Sequence, residues 1–96
     1  MHREEVLRRL TAQRSRLADF GVKRLAVFGS VARGDARPDS DIDVLVEFAG
    51  AATYDQYMRL KDFLEALLES PVDLLTRKGV RPELVPSIEQ EAVYVS

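Results

Sequence analysis

The stretch "FGSVARGDARPDSDIDVLVEF", residues 28–48, decides how this 96-residue chain is read. It places four aspartates, Asp35, Asp39, Asp41 and Asp43, within nine positions and then runs directly into apolar Val44, Leu45 and Val46. Like charges this close repel one another, so either the segment is a solvated turn or something positive holds it. Alternation along a strand puts Asp41 and Asp43 on one side and Ile42 on the other. The apolar run belongs in a core, which makes the start of this strand a core edge. Two carboxylates ~6–7 Å apart on one face can both reach a hard divalent cation lying between them.

A third acid, Asp73, lies inside the short apolar run "PVDLLT", residues 71–76. An acid in such a strand asks for a partner or a cation, because burying it alone is costly. Upstream, Gly29 and Ser30 close another apolar run. A glycine that ends a strand before a helix start lets backbone N–H groups approach an anion, and the Ser30 hydroxyl can donate to the same group. Taken alone, a Gly-Ser pair at a strand end is most often only a turn. Arg33 can contact a phosphate or fix the following loop, and by itself the loop role is the simpler. Gly34 suits a positive φ angle there. A calcium-binding EF-hand loop is excluded. Asp39, Asp41 and Asp43 match its first ligand spacing, but Val44 stands where the glycine belongs and Gly50 where the glutamate belongs.

The flanking sequence frames these residues in one domain, 1–96. At 46% hydrophobic and 31% charged, the composition supports a core of modest size and argues against disorder. No apolar run nears the ~20 residues of a membrane span, and "MHREEVLRRL" lacks a signal peptide's apolar segment. With no cysteine there are no disulfides and no thiolate zinc site. The expected location is cytoplasmic. The net charge of −2 is uneven: residues 1–24 hold seven Arg/Lys against three Asp/Glu, a net of +4, which leaves 25–96 at −6. An acidic body with a basic first segment does not fit a nonspecific nucleic-acid coat. The basic segment is either a solvated helix face or a docking surface for an acidic partner.

Residues 3–20 carry Val6, Leu10, Leu17 and Phe20 at helical spacing, with Gly21 placed to stop the helix. Residues 22–28 read as a strand. A short helical turn over 30–35 has Ser30 as its expected N-cap, and Pro38 falls in a loop. Residues 41–48 form a second strand. Over 54–69 a helix sets Tyr57, Leu60, Leu64, Leu67 and Leu68 on one stripe, broken at Ser70-Pro71. A third strand spans 72–76, followed by a turn at Lys78-Gly79. A last short helix starts at Pro82, limited or distorted by Pro86, and 92–95 form a tail or edge strand. The order αβ(α)βαβα predicts an α/β domain with a small mixed sheet covered by helices.

A strand, Gly29-Ser30, ten intervening residues, Asp41-x-Asp43 opening a strand and a distant Asp73 in another together resemble the nucleotidyltransferases of the DNA polymerase β-like superfamily. The short length resembles its minimal nucleotidyltransferase (MNT) family over essentially the whole chain. The resemblance implies the polymerase β-like fold and transfer of AMP from ATP to a hydroxyl, with release of pyrophosphate. It implies two Mg²⁺ ions held by Asp41, Asp43 and Asp73, the catalytic and metal-binding set, and a nucleotide gripped by Gly29, Ser30 and Arg33. Such ions, ~3.5–4 Å apart, stabilise the attacking and leaving oxygens of an in-line displacement. Asp35 and Asp39 then remain loop residues, Asp39 suited to capping a turn. The resemblance further implies an antitoxin whose partner is a HEPN-type toxin modified on a tyrosine. A homo- or hetero-oligomer would complete the site, with no membrane and no direct nucleic-acid contact. Two alternatives stand beside it: neutralisation of the partner by binding alone, and transfer to a small-molecule acceptor.

Overall fold

The computed structural model describes residues 2–37 and 39–96. Pro38, expected in a loop, lies outside the described residues. The helix expected over 3–20 is two helices, α1 (Arg3–Ala12) and α2 (Arg14–Asp19). At Gln13 the backbone tightens, its N–H donating to Leu10 O three residues back at 3.0 Å, and helical bonding resumes with Leu17 N–H to Gln13 O at 2.9 Å. Val6, Leu10 and Leu17 nevertheless all face the core, fully buried.

Strand β1 (Val22–Phe28) has the predicted bounds, as does β3 (Val72–Thr76). Between them lie the short helix α3 (Gly29–Arg33), β2 (Ile42–Phe48) and the long helix α4 (Tyr54–Leu68). After β3 come two 3-10 turns, Arg77–Gly79 and Pro82–Leu84, then α5 (Val85–Glu91) and β4 (Val93–Tyr94). Pro86 does not curtail the last helix. It sits in the first turn of α5, where its missing N–H costs no hydrogen bond.

The sheet runs β3-β2-β1-β4. Strands β1 and β2 are antiparallel, β2 and β3 parallel, and β4 pairs antiparallel with β1, so the sheet is mixed and its last strand lies on an edge. On one face Leu25, Val27, Ile42, Val44, Val46, Val72 and Leu74 meet the buried residues of α1, α2 and α4 in one cluster. The stripe on α4 behaves as its spacing predicts, with Leu60, Leu64 and Leu68 buried and Tyr57 and Leu67 packed at the margin.

Side-chain ties fix the helices to one another. Thr53 caps α4, its hydroxyl accepting from Gln56 N–H at 3.1 Å. The spacing is that of a capping box, but the Gln56 side chain reaches instead to Phe20 O at 2.8 Å and binds the end of α2 to the start of α4. Thr53→Ala is expected to cost about 1 kcal/mol, read as a fall in melting temperature of roughly 4–8 °C.

Part of the basic first segment is engaged within the chain. Arg9 donates to Leu67 O at 2.9 Å and pairs with Glu69 at 3.0 Å, Arg8 pairs with Glu5, and the Arg16 guanidinium lies 5.4 Å above the Phe63 ring. Arg9 and Arg16 thus tie α1 and α2 to α4, beyond solvating a face.

Candidate active site

The register of the sheet brings two of the predicted acids side by side. Asp43 on β2 pairs with Asp73 on β3, and partners in parallel strands project from the same face. Their neighbours Ile42, Val44, Val72 and Leu74 point into the core, so both carboxylates stand on the opposite face. Asp41 lies one residue before β2 begins, exposed, at the strand's open end. The strand starts are pinned locally: Ile42 N–H donates to Pro71 O at 3.0 Å, and Val72 N–H donates to Glu65 Oε2 on α4 at 2.8 Å.

Gly29 closes the site from the other strand. Phe28, the last residue of β1, pairs with Asp43, so the chain turns into α3 beside that carboxylate. Gly29 has φ +72°, and a Cβ there would stand 3.0 Å from the Asp43 carboxyl carbon and nearer still to one of its oxygens. Only glycine fits both the angle and the space. Ser30 is not the N-cap the sequence suggests. The helix begins at Gly29, Phe28 takes the cap position, and Ser30 sits in the first turn without a capping bond. At the far end Gly34 has the expected positive φ, +80°. Gly34 N–H donates to Val31 O and Asp35 N–H to Ser30 O, each at 3.0 Å, a Schellman closure. Among the described residues the loop turn beyond it is closed by Ser40, whose N–H donates to Arg37 O and whose hydroxyl accepts from Arg37 N–H, and not by Asp39.

Electrostatics set Asp43 apart. Its carboxyl is pushed above the ordinary aspartate range, first by burial, then by the charges of Asp73 and Asp41. Elsewhere carboxylates such as Asp35, Asp55, Glu89 and Glu91 pair with arginines, but among the described residues no ion pair engages Asp41, Asp43 or Asp73. Unpaired acids of this kind, all hard oxygen donors, fit a magnesium ion. Among the described residues no three acidic, histidine or cysteine groups close around a single point tightly enough to enclose an ion. The carboxylates form an open edge, and magnesium is commonly completed by substrate phosphates and water.

Arg33 shares a face of α3 with Ser30, three residues earlier. Its Nη1 donates to Glu91 at 2.7 Å and its Nε to Asp35 at 3.3 Å. Glu91 and Arg33 both act on the charge of Asp43, with opposite sign. Sequence reasoning did not single out Glu91: it lies 58 residues from Arg33, in the last short helix, with no local pattern to mark it.

The profile of the nucleotidyltransferase domain family matches residues 7–95. The protein adenylyltransferase MntA of Thermococcus cleftensis is 39% identical over 93 residues, 96% of this chain and 94% of that protein. A solved structure described as a minimal nucleotidyltransferase superposes with a TM-score of 0.87 at 43% identity, covering 97% of this chain and 95% of that one. The chain therefore belongs to the nucleotidyltransferase domain family, in its minimal branch. It is a nucleotidyltransferase, and that chemistry implies ATP and Mg²⁺. The same fold occurs in the complex of a tri-AMPylated Shewanella oneidensis HEPN toxin with an MNT antitoxin, at a TM-score of 0.70 and 19% identity over 98% of this chain and 71% of that one. Among the described residues no helix is long and apolar enough to cross a membrane.

Proposed function

We propose that this chain is a Mg²⁺-dependent protein adenylyltransferase that moves AMP from ATP onto a tyrosine hydroxyl of a HEPN-type toxin and so acts as its antitoxin. The observation that carries this reading is the Asp43–Asp73 pair set in register beside Gly29, in a chain matched along its length by a protein adenylyltransferase. The toxin complex that shares this fold supports the choice of partner. In the reaction the acceptor oxygen attacks the α-phosphorus, the bond from that phosphorus to the bridging oxygen breaks, and pyrophosphate leaves.

Each residue has a role at a stated place. The carboxylates of Asp41 and Asp43 would hold two Mg²⁺ ions, one of them shared with the triphosphate. When bound, these ions supply Lewis-acid stabilisation of the attacking and leaving oxygens. The Asp73 carboxylate would complete the acceptor side and take the hydroxyl proton. Gly29, lacking a side chain, lets phosphate oxygens approach backbone N–H groups, and Ser30 Oγ donates to the same oxygens. Arg33 adds a charged donor on the leaving-group side. The partner protein would bring its own hydroxyl to the open face on which Asp43 and Asp73 stand.

The test is incubation with Mg²⁺, ATP labelled at the α-phosphate and a HEPN-type protein as the candidate acceptor. One or more added AMP units on a partner tyrosine are expected, absent with EDTA or with Asp41→Asn. Tight complex formation and full neutralisation by Asp41→Asn without label would establish inhibition by contact alone. Label found only on added small hydroxyl compounds would instead make the acceptor a small molecule.

A further inference from the structure

We infer that Glu91 is a positioning residue for nucleotide binding: from the last turn of α5 its carboxylate holds the Arg33 guanidinium, together with Asp35, so that one edge of that guanidinium stays directed to the triphosphate. The inference rests on the reading of Arg33 as a phosphate contact.

The geometry is specific to orientation. A guanidinium offers five N–H donors in a rigid plane. Two separate nitrogens are committed here, Nη1 to Glu91 at 2.7 Å and Nε to Asp35 at 3.3 Å. Among the described residues Nη2 has no hydrogen-bond partner, and it is the edge available to an incoming oxyanion. Asp35 is itself fixed, because its N–H closes the end of α3 onto Ser30 O. Glu91 supplies the second point that a plane needs to stop rotating. Arg33 ends the five-residue helix that opens at Gly29 against the Asp43 carboxylate, which keeps the guanidinium on the same short element as that contact.

Helix α5 is held partly by charge. None of its residues is fully buried, Val85 and Ile88 being only half-buried. Two ion pairs add to that contact: Arg33 with Glu91, and Arg77, just after β3, with Glu89 at 2.9 Å. Such half-exposed pairs contribute little to global stability. Losing Glu91 should therefore disturb the orientation of Arg33 without unfolding the chain.

Two effects of removing Glu91 oppose each other. The guanidinium loses its orientation, which weakens triphosphate binding. A negative charge also leaves the neighbourhood of the phosphates, which strengthens it. The second is small at an exposed site screened by water and salt, so weakening is expected to prevail. Glu91→Gln separates them, since the amide oxygen still accepts from Nη1 while the charge is gone.

The experiment measures binding of the non-hydrolysable ATP analogue AMP-PNP and of AMP to the full chain by calorimetry in Mg²⁺, with melting temperature as a control on folding. Arg33→Ala is expected to weaken AMP-PNP about 10- to 100-fold, as for loss of a charge-assisted phosphate contact, and to leave AMP nearly unchanged. Glu91→Ala should weaken AMP-PNP about 3- to 10-fold, again sparing AMP, with Glu91→Gln within about 2-fold of the parent. In the Arg33→Ala background Glu91→Ala should add nothing, the signature of action through Arg33. Glu89→Ala, which removes only the other tether of α5, should not change the ratio of the two affinities. If Arg33→Ala leaves AMP-PNP binding intact, the reading of Arg33 as a phosphate contact fails, and this inference with it. If Arg33→Ala weakens binding but Glu91→Ala does not, or Glu91→Ala and Glu91→Gln both tighten it, only the role given to Glu91 is overturned.

Discussion

Replacing Gly29 by alanine is expected to cost both stability and nearly all transfer activity, whereas the same change at Gly34 costs only stability. Both glycines hold a left-handed backbone, with φ +72° and +80°. An L side chain in that region costs about 1–2 kcal/mol, so each variant should melt roughly 5–15 °C lower. The surroundings differ. At Gly34 an added Cβ meets nothing within 4 Å, but at Gly29 it collides with the Asp43 carboxylate. The carboxylate must then swing away from Gly29, out of its present place beside Asp73, or α3 must lift from the sheet. A displacement of about 1 Å at a reacting centre can cost on the order of 100-fold in rate, and Gly29→Ala should lose at least that. The measurement is label transfer from ATP at a temperature where both variants remain folded by circular dichroism. Equal activity of the two variants would show that the approach of Gly29 to Asp43 has no part in the chemistry.

That contrast also marks what a sequence can disclose. Strands β1 and β3 were legible to the residue, because each is a β-branched apolar run bounded by glycine or proline. Helix α4 was legible because Leu60, Leu64 and Leu68 repeat on one face between a threonine cap and a proline break. The division at Gln13 was not, since no glycine or proline marks it and the apolar stripe runs through without losing phase. Proline 86 misled in the other direction. It is a breaker inside a helix but harmless in the first turn, and only the position of the helix start tells the two apart. At the site, Asp41-x-Asp43 is a local pattern and can be read directly. That Asp73 stands level with Asp43 depends on which strands are neighbours and in what register, which composition does not encode. Glu91 lay further out of reach, because an ion pair spanning 58 residues leaves no local trace.

Asp43→Asn should abolish transfer while making the metal-free protein more stable. Without metal, Asp43 is held partly buried beside two like charges, and its carboxyl is raised above the ordinary range. A raised carboxyl binds its proton more readily in the folded chain than in the unfolded one. Its stabilising contribution is therefore complete below the unfolded value and is lost as pH rises through the folded one. At neutral pH the ionised group opposes folding, and asparagine removes that opposition at nearly the same size. The metal-free variant should melt a few degrees above the parent at pH 7, and the gap should close as pH falls through the raised folded-state value. Saturating Mg²⁺ reverses the order: the parent gains stability by binding the ion to its folded state, and the variant gains much less. Transfer should fall on the order of 10³-fold, the size of losing several kcal/mol of transition-state stabilisation. Melting curves at two pH values, each with and without Mg²⁺, read all of this except the rate. A metal-free variant less stable than the parent at pH 7 would mean that the fold itself satisfies the carboxylate. An equal response of the two proteins to Mg²⁺ would remove Asp43 from the groups that hold the ion.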